Sequence, residues 1–586
     1  LFLVSSSLNP KNLPEFLVIL KSKLHELLTE PPTPEEIQKC ITNFESEEFY
    51  SLETVDGLAR KAGYYNDLMN DPEYFKRFMK QVLAIKPEEL VKTARKYLAP
   101  SQMSVMLMDS GNAKEDQKLL KKWMAEYADL YKDASKAKIA APKSGAKKKP
   151  LKWGQAREKS AKTEKIVLRS GVTLILRPAY DTPTISARAA FSGGTRIEPD
   201  GKDGLVELLA NTWTAGAGKF KEEEIYAKAE SIASSLASFG GRNTLGLTLD
   251  TLAPFEGEAL DLFCEVLNRP HFPESAIERE KTQMLEAIRA KEDYPAQIAS
   301  QQFLEGLFKS HPYAKEMSGK STTVPGLNRT DIETYWSQVA HSKNLIVAVS
   351  GHFDIDRWKE KIENAGRELG KGPRILNKFP HESSKEPTTL FKKLEKEQTH
   401  IILGYKGLTQ NDPQRFALQI MQSVLAGQGG RLFIELRDKA SLAYSVSPIR
   451  MEGIDTGYFG GYIACSPSKT EQAVQMMLAE FEKLSQTLVS EAEMDRAKRY
   501  VVGRHDIELQ RNSSICAAML FDEMYGNGFD EAFRFSDLVQ AVTSEDVKAV
   551  AKRLFSQKPV LSVVGPNPPK AAVEPRAARG SPEPSL

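Results

Sequence analysis

The sequence predicts an α+β protein that is built from repeated domains. Its 586 residues are 41% hydrophobic and 27% charged, so the chain can bury a large core and is neither wholly disordered nor collagen-like. Two strand patterns, IVLRSGVTLILRP and TISARAAFSGGTRIE, precede a helical pattern, GLVELLANTWTAG, and further helices and strands follow. A segment near the N-terminus also recurs near the far end of the chain.

The repeat relates residues that are 457 positions apart. Thr33 and Ser490 each open a helix with a Thr/Ser-x-x-Glu capping box, and Leu90 and Val547 lie at equivalent positions of a later helix. The constant offset predicts the same order in both copies: a strand, a long helix, a capped helix, two further helices and a closing strand. The equivalent apolar helix positions are Leu17 with Val474, Leu20 with Met477, Leu24 with Phe481, and Leu27 with Leu484.

The first copy starts where the second is already in the middle of a sheet. We predict that LFLV at the start of the chain and SVMLM at 104–108 are strands, the latter equivalent to LSVVG at 561–565. The first domain is therefore expected to be truncated, with roughly 290 residues missing in front and a parent chain of roughly 880 residues.

Five segments are predicted along the chain. A stretch that is first helical and then Lys-rich separates the first domain from the others, and a tail of low hydrophobicity follows the last domain. The segments are a C-terminal part of a truncated domain at 1–110, a linker at 111–165, domains at 166–375 and 376–566, and a disordered tail at 567–586.

Histidines, cysteines and charge exclude several kinds of site. No two of the eight histidines stand three or four positions apart, the spacing that places two imidazoles on one helix face. The sequence contains no run of about 18 apolar residues, so it predicts no transmembrane helix. The net charge of +2 predicts no nucleic-acid partner, although contact with nucleic acid or an anionic membrane is an alternative for the linker. The cysteines lack C-x-x-C spacing and are expected to be reduced core thiols: Cys40, Cys264, Cys465 and Cys516.

Several spaced motifs resemble the pitrilysin/insulinase family of zinc metallopeptidases. They are FSGGTRIEP at 191–199, HPYAKEMSGK at 311–320, NLIVAVSGHFD at 344–354, EQTHIILGYKG at 397–407 and GQGGRLFIELRDKASLAYSVSP at 427–448. The resemblance implies pitrilysin-like domains, each a mainly antiparallel sheet with helices packed on it. It also implies hydrolysis of peptides or unfolded polypeptides in a closed chamber, with zinc as the cofactor of the intact enzyme.

The family's zinc motif is degenerate at the matching positions here. A His-x-x-Glu-His helix and a distant Glu hold the metal and supply the general base in that family. The matching positions are Glu207, Ala210 and Asn211, and the distant ligand position is Ala287, seven residues after Glu280. We therefore expect residues 166–375 to be a pseudo-catalytic domain in which no residue of this chain binds zinc.

The family's Arg/Tyr pair is present. It follows the pattern L-R-x-x-x-x-L-x-Y, which here places the pair at Arg437 and Tyr444. The resemblance implies that Arg437 orients the peptide backbone and that Tyr444 donates a hydrogen bond to the developing oxyanion. The preceding turn contains Gly427, Gly429 and Gly430, which suit a substrate-contacting loop or an ordinary tight turn.

Two functions remain open at this stage. One is the non-catalytic half of a zinc metalloendopeptidase, whose zinc-bearing part is its own missing N-terminal half or a sister subunit. The alternative is a non-catalytic partner or core-type subunit that binds peptides or a sister subunit. A periplasmic or otherwise exported location is expected over a cytoplasmic one, although the cysteines do not fix the compartment.

Overall fold

The computed structural model describes residues 2–108, 113–140, 162–383 and 385–569. The chain forms two compact units, residues 1–154 with 230–233, and residues 155–229 with 234–586. Residues 141–161, the Lys-rich part of the predicted linker, lie outside the described residues. So do residues 570–586, which make up most of the predicted disordered tail.

Helices and connecting segments make up the described residues of the first unit, which contain no strand. Helix α2 begins with the predicted capping box: the Thr33 side chain accepts a hydrogen bond from Glu36 N, and the Glu36 carboxylate accepts one from Thr33 N. The helices are α1 (Leu13–Thr29), α2 (Pro34–Ser51), α3 (Val55–Met69), α4 (Tyr74–Ala84), α5 (Pro87–Tyr97) and α6 (Ala113–Lys136).

Helix α6, which lies in the predicted linker, packs on α1 and α5. The indole N–H of Trp123 donates to the carbonyl oxygen of Leu17 at 2.7 Å, and the Tyr127 hydroxyl donates to the carbonyl oxygen of Leu98 at 2.7 Å. Both rings are buried among leucines of α1, and they stack with centroids 5.7 Å apart. The aromatic residues of α6 therefore supply much of this unit's core.

The predicted strands of the first unit are wrong for the described residues. Residues 2–4 and 104–108 form no hydrogen-bonded ladder, and Phe2 and Met106 are 61% and 93% exposed. Their equivalents in the second copy pair with a third strand, whereas the described residues of the first unit contain no strand at all. A strand pattern without a neighbouring strand has no partner for its backbone groups.

The second unit begins with a six-stranded sheet in the order β1-β2-β8-β3-β7-β6. Only the β2–β8 pair is parallel, so the sheet is mainly antiparallel. Its strands are β1 (Glu164–Val167), β2 (Thr173–Pro178), β3 (Thr184–Ser192), β6 (Ser235–Gly240), β7 (Thr244–Leu252) and β8 (Leu345–Gly351), and a small hairpin joins β4 (Gly216–Ala217) to β5 (Phe220–Lys221). The accompanying helices are α7 (Leu205–Trp213), α8 (Glu222–Ser231), α9 (Glu256–Asn268), α10 (Glu274–Lys291), α11 (Pro295–Phe308), α12 (Arg329–Val339) and α13 (Ile355–Glu368).

A five-stranded sheet follows, in the order β11-β12-β10-β13-β9. Its strands are β9 (Thr388–Lys393), β10 (Thr399–Gly407), β11 (Ala443–Glu452), β12 (Gly457–Cys465) and β13 (Val560–Gly565). Its helices are α14 (Arg415–Leu425), α15 (Thr470–Gln486), α16 (Glu491–Glu508), α17 (Asn512–Tyr525), α18 (Glu531–Gln540) and α19 (Ser544–Phe555). Among the described helices none is both long enough and apolar enough to cross a membrane. The predicted α+β class is confirmed.

The helices confirm the repeat. Shifted by 457 residues, the bounds of α1 and α2 coincide with those of α15 and α16, and α3, α4 and α5 match α17, α18 and α19 to within one residue. Ser490 caps α16 with the same box that Thr33 forms in α2. The copies share one contact, α1 with α5 and α15 with α19, and differ in the other: α15 also packs on a sheet, whereas α1 also packs on α6.

The two sheets of the second unit exchange a helix. Helix α17, from the second sheet's domain, packs on β3 and β8 of the first sheet, and α11 of the first domain packs on β10 and β13 of the second. Each sheet is therefore covered on one face by helices of its own domain and on the other by a helix of its neighbour. In the first apolar cluster, residues of the first sheet contact α17: Ile175, Ala190, Ile346 and Ala348 with Ile515, Cys516, Met519 and Leu520. In the second cluster, residues of α11 contact the second sheet: Phe303, Leu307 and Phe308 with Ile402, Val560 and Val564.

The repeat provides a matched pair of core substitutions. Leu484 on α15 is fully buried, whereas its equivalent Leu27 on α1 is 43% exposed because α1 buries Leu28 instead. We expect Leu484→Ala to lower the free energy of unfolding of its unit by about 2–5 kcal/mol, and Leu27→Ala to lower that of its own unit by less than about 1 kcal/mol. Calorimetric transitions of the two variants would measure this, and equal losses would contradict the different burial.

Candidate functional site

The segment with the Arg/Tyr pair connects α14 to β11. Gly427 follows the end of α14 with a φ of 75°, which favours glycine. Gly430 approaches the preceding turn so closely that a Cβ would lie 2.2 Å from the carbonyl oxygen of Ala426. Gly429 has neither constraint, and its carbonyl oxygen accepts a hydrogen bond from Arg496. The turn therefore needs glycine at two of the three predicted positions for its own geometry, and contact with substrate stays a prediction.

Arg437 and Tyr444 are brought together in the structure. Arg437 lies in a π-helical turn at Phe433–Lys439, and its guanidinium carbon is 4.9 Å from the Tyr444 ring centroid and 4.5 Å from that of Phe433. Tyr444 is 79% exposed, so this cation–π contact, more than burial, holds its ring. A fixed guanidinium and a phenol thus lie side by side at the surface.

A β-bulge places Tyr444 outside the regular ladder. In the pairing of β11 with β12, Ala443 pairs with Cys465 and Ser445 pairs with Ala464, which leaves Tyr444 as the extra residue. Ser441, with a φ of 50°, ends the helical turn just before the strand, and Lys469 donates to its carbonyl oxygen at 2.8 Å. The chain therefore changes direction sharply between the two members of the pair.

An ion pair anchors the loop to α16. Arg431 donates from Nε and Nη2 to the two carboxylate oxygens of Glu493, at 2.8 and 2.9 Å. Glu493 is also the third residue of α16 and accepts from Ser490. The hydrogen bond from Arg431 is the largest cause that lowers the pKa of Glu493 to about 2. One carboxylate thus stabilises both the helix start and the loop that leads to Arg437.

Three of the degenerate zinc positions lie on α7, which packs on the edge strand β6 and on α10, and the fourth, Ala287, lies on α10. Glu207 is half-buried, and desolvation raises its pKa while Lys291 opposes the shift. Ala210 is 4% exposed, and its carbonyl oxygen accepts a hydrogen bond from Ser238 on β6. Asn211 and Ala287 are both exposed.

These residues do not fit a zinc ion. Alanine offers no ligand atom at 287 and no base at 210, and an amide at 211 is a poor substitute for imidazole. Glu280 is hydrogen-bonded to Arg279 at 3.1 Å, and Arg279 is in turn paired with Glu222. Within the described residues, no group of three or more His, Cys, Asp or Glu side chains is arranged to hold a metal.

Sequence reasoning missed a buried charged cluster between the two domains of the second unit. Arg196, from FSGGTRIEP, donates from Nε to Asp455 at 2.8 Å, and these side chains are 3% and 4% exposed. The Nε2 atom of His311, from HPYAKEMSGK, lies 3.5 Å from the same carboxylate oxygen. Desolvation opposes ionisation of Asp455, but the nearby His311 and the hydrogen bond from Arg196 lower its pKa overall. Two of the family motifs therefore act as an anchor between domains.

The Arg431–Glu493 pair predicts an acid-sensitive part of the stability. The pKa of Glu493 is lower in the folded state than in the unfolded state, so its contribution is present above about pH 4.5 and is lost as the pH falls towards about 2. We expect Glu493→Gln to lower the Tm by about 2–6 °C at pH 7 and to flatten the loss of stability between pH 5 and 2.

Calorimetry across this pH range would measure both effects. Glu491→Gln, which changes an exposed carboxylate in the same helical turn, is the matched control and should behave like wild type. An unchanged pH profile in Glu493→Gln would contradict the assignment.

Two family models and several known proteins match the sequence of this chain. Residues 175–321 match the family model described as insulinase (peptidase family M16), and residues 326–501 match the model described as the peptidase M16 inactive domain. An uncharacterized zinc protease of Streptomyces coelicolor is 25% identical over 406 residues, which cover 66% of this chain and 87% of that protein. The non-peptidase homolog YmxG of Helicobacter pylori is 26% identical over 361 residues, which cover 61% and 82% of the two chains.

Solved structures share the fold. A peptidase M16 inactive domain from Pseudomonas fluorescens aligns with a TM-score of 0.66 and 21% identity, covering 71% of this chain and all of that chain. A protease from H. pylori aligns with a TM-score of 0.64 and 20% identity, covering 70% of this chain and all of that one. The two family models together span more than half of the sequence. The chain belongs to the pitrilysin/insulinase family of zinc metallopeptidases, M16.

Proposed function

We propose that this chain is the non-catalytic, substrate-binding half of a zinc metalloendopeptidase that hydrolyses peptides or unfolded polypeptides in a closed chamber. The observation that carries the proposal is the contrast between two sites. Arg437 and Tyr444 are stacked and accessible at the start of β11, whereas the zinc positions on α7 hold Glu207, Ala210 and Asn211. The metal would be held by a partner half and not by α7.

The side chains of the pair have complementary roles in this proposal. The guanidinium of Arg437 presents several N–H donors in a fixed plane, which suits a carbonyl oxygen of an extended peptide. The Tyr444 hydroxyl donates to the scissile carbonyl oxygen as that atom gains negative charge. Because Tyr444 is exposed on a bulge, its hydroxyl can extend beyond the ladder towards a bound peptide.

A second candidate function is a non-catalytic partner that binds peptides or a sister subunit and takes no part in cleavage. Two observations favour it: α7 lacks a zinc donor set, and one relative is named a non-peptidase homolog. The two candidates differ in what Tyr444 does. In the first it acts on the reacting carbonyl, and in the second it is only part of a binding surface.

The purified chain is expected to bind no stoichiometric zinc and to cleave no peptide by itself. The physical reason is the lack of a ligand at Ala287 and of a base at Ala210. Metal analysis after dialysis against zinc and a quenched fluorescent peptide assay would measure these properties. One tightly held zinc per chain would contradict the assignment of α7. Cleavage that appears only when a zinc-bearing M16 half is added would support the first function.

Tyr444→Phe is expected to lower kcat of that reconstituted activity by roughly 10- to 1000-fold, because one oxyanion donor is lost. KM should change little, since the ring and its contact with Arg437 remain. Tyr64→Phe, at an exposed tyrosine of the first unit, is the matched control. Unchanged kcat in Tyr444→Phe would favour the second candidate function.

A further inference from the structure

A groove on the second sheet lies close to the Arg/Tyr pair along the same strand. It encloses about 350 Å³ between helix α11 and the strands β10, β11 and β12. Ser300 and Phe303 line it from α11, and Ser447 and Ile449 line it from β11. Ser447 follows Tyr444 by three residues, roughly 10 Å along a strand.

The walls of the groove are uncharged and include three aromatic side chains. Tyr458 and Tyr462 project from β12 on either side of Gly460, which has no side chain to fill the space between them. The Phe303 ring lies edge-to-face with Tyr458, with centroids 5.7 Å apart. The volume is at the low end of the range for ligand pockets and suits one or two side chains. Since none of the lining residues is charged, the groove favours an uncharged occupant.

The hydroxyl of Tyr462 is already used within the protein. It forms a hydrogen bond with Nδ1 of His400 at 2.9 Å, and burial lowers the pKa of that histidine. The imidazole is therefore neutral near pH 7 and adds no charge behind the groove. The partly exposed rings of the two tyrosines remain as the recognition surface, and Phe303, which is buried, supports Tyr458 from α11.

Strand β11 gives a peptide a way to reach this groove. It is the edge strand of its sheet, and in the described part of the chain no strand pairs with its outer side. An extended peptide that adds to an edge strand points alternate side chains to one face, and pockets on that face select among them. Residues Ser445, Ser447 and Ile449 lie on the face that carries the groove, directly along the strand from the bulge at Tyr444.

We propose that the groove is a specificity subsite for a large apolar or aromatic side chain of an extended polypeptide paired with β11, about three to five residues from the position that meets Arg437 and Tyr444. The proposal rests on the proposed function for the nature of the ligand. It adds the substrate class, namely unfolded chains with a large apolar residue at a defined distance from the pair.

The test uses two series of fluorescein-labelled, unstructured twelve-residue peptides made of Gly, Ser and Asn. In the first series a single Phe stands at successive positions, and in the second series a single Ala replaces that Phe. Fluorescence anisotropy with the full chain measures the dissociation constants. We expect one position at which Phe binds roughly 10- to 100-fold more tightly than Ala, the range for burying one large apolar side chain.

Filling the groove should remove this preference alone. In Ser300→Trp the ratio of Phe to Ala affinity is expected to fall below about 3-fold, while the Ala peptide binds as it does to wild type. Ser447→Trp fills the groove from the opposite wall and guards against a folding defect in the first variant. Both serines are exposed, and so is Gln297, which lies on the same helix outside the groove, so Gln297→Trp is the matched control and should keep the full ratio.

The outcomes separate this proposal from the proposed function. A preference for Phe that survives in both Trp variants, or no preference at any position, overturns the subsite. Arg437→Met is expected to weaken Phe and Ala peptides by the same factor. If it weakens neither while the Trp variants abolish the preference, the subsite stands and the role proposed for Arg437 fails.

Discussion

The second unit depends on the exchange of helices α11 and α17 between its two sheets. Strand β8 is buried along its whole length, so the first sheet is apolar on both faces and needs helices on both. Its own domain covers one face, and α17 covers the other with Ile515, Met519 and Leu520. Helix α11 does the same for the second sheet. Neither domain can therefore hide its apolar surface without the other.

The buried pair of Arg196 and Asp455 fixes the register of this exchange. Nonspecific apolar contact would tolerate sliding of one domain on the other, but two desolvated charges 2.8 Å apart would not. Tyr313 strengthens the same junction, because its hydroxyl donates to Asn243 at 2.7 Å and accepts from the backbone N–H of Ile454 at 3.0 Å. The position of α11 over the second sheet, and with it one wall of the groove, follows from these contacts.

The helices were the most predictable part of the fold. Capping boxes at Thr33 and Ser490 begin the second helix of each copy, because caps and apolar spacing are local features. The constant offset relates five helices in the two copies, one more than the four that the sequence predicts. The strand predicted at 104–108 was wrong, because a strand also requires a neighbouring strand, which lies far away in the sequence. Helix α17 packs its apolar residues on a sheet of another domain, and a helical pattern does not indicate such a partner. A buried arginine such as Arg196 contradicts the usual expectation for charged residues, so its role emerged only in three dimensions.

The sequence predicted the residues of the candidate site but not their geometry. The motif placed Arg437 and Tyr444 seven positions apart, yet their contact depends on the π-helical turn, on the left-handed Ser441 and on the bulge in β11, none of which has a clear sequence signal. The motif also predicted the turn glycines without the reason for each one. The positive φ requires glycine at 427, and the close approach to the backbone of Ala426 requires it at 430.

Two edge strands of the second unit, β6 and β11, differ in the chemistry around them. At the edge β6, Ala210 stands at the position that matches the family's general base, and it packs against the strand so closely that its Cβ would lie 3.2 Å from a Cβ added at Gly240. A carboxylate at 210 would be desolvated there without a partner, so α7 is now a packing element. At the edge β11, by contrast, an exposed phenol, a fixed guanidinium and an uncharged groove lie along one strand. In the proposed function, such a surface would bind the backbone and side chains of an extended chain without a metal from α7.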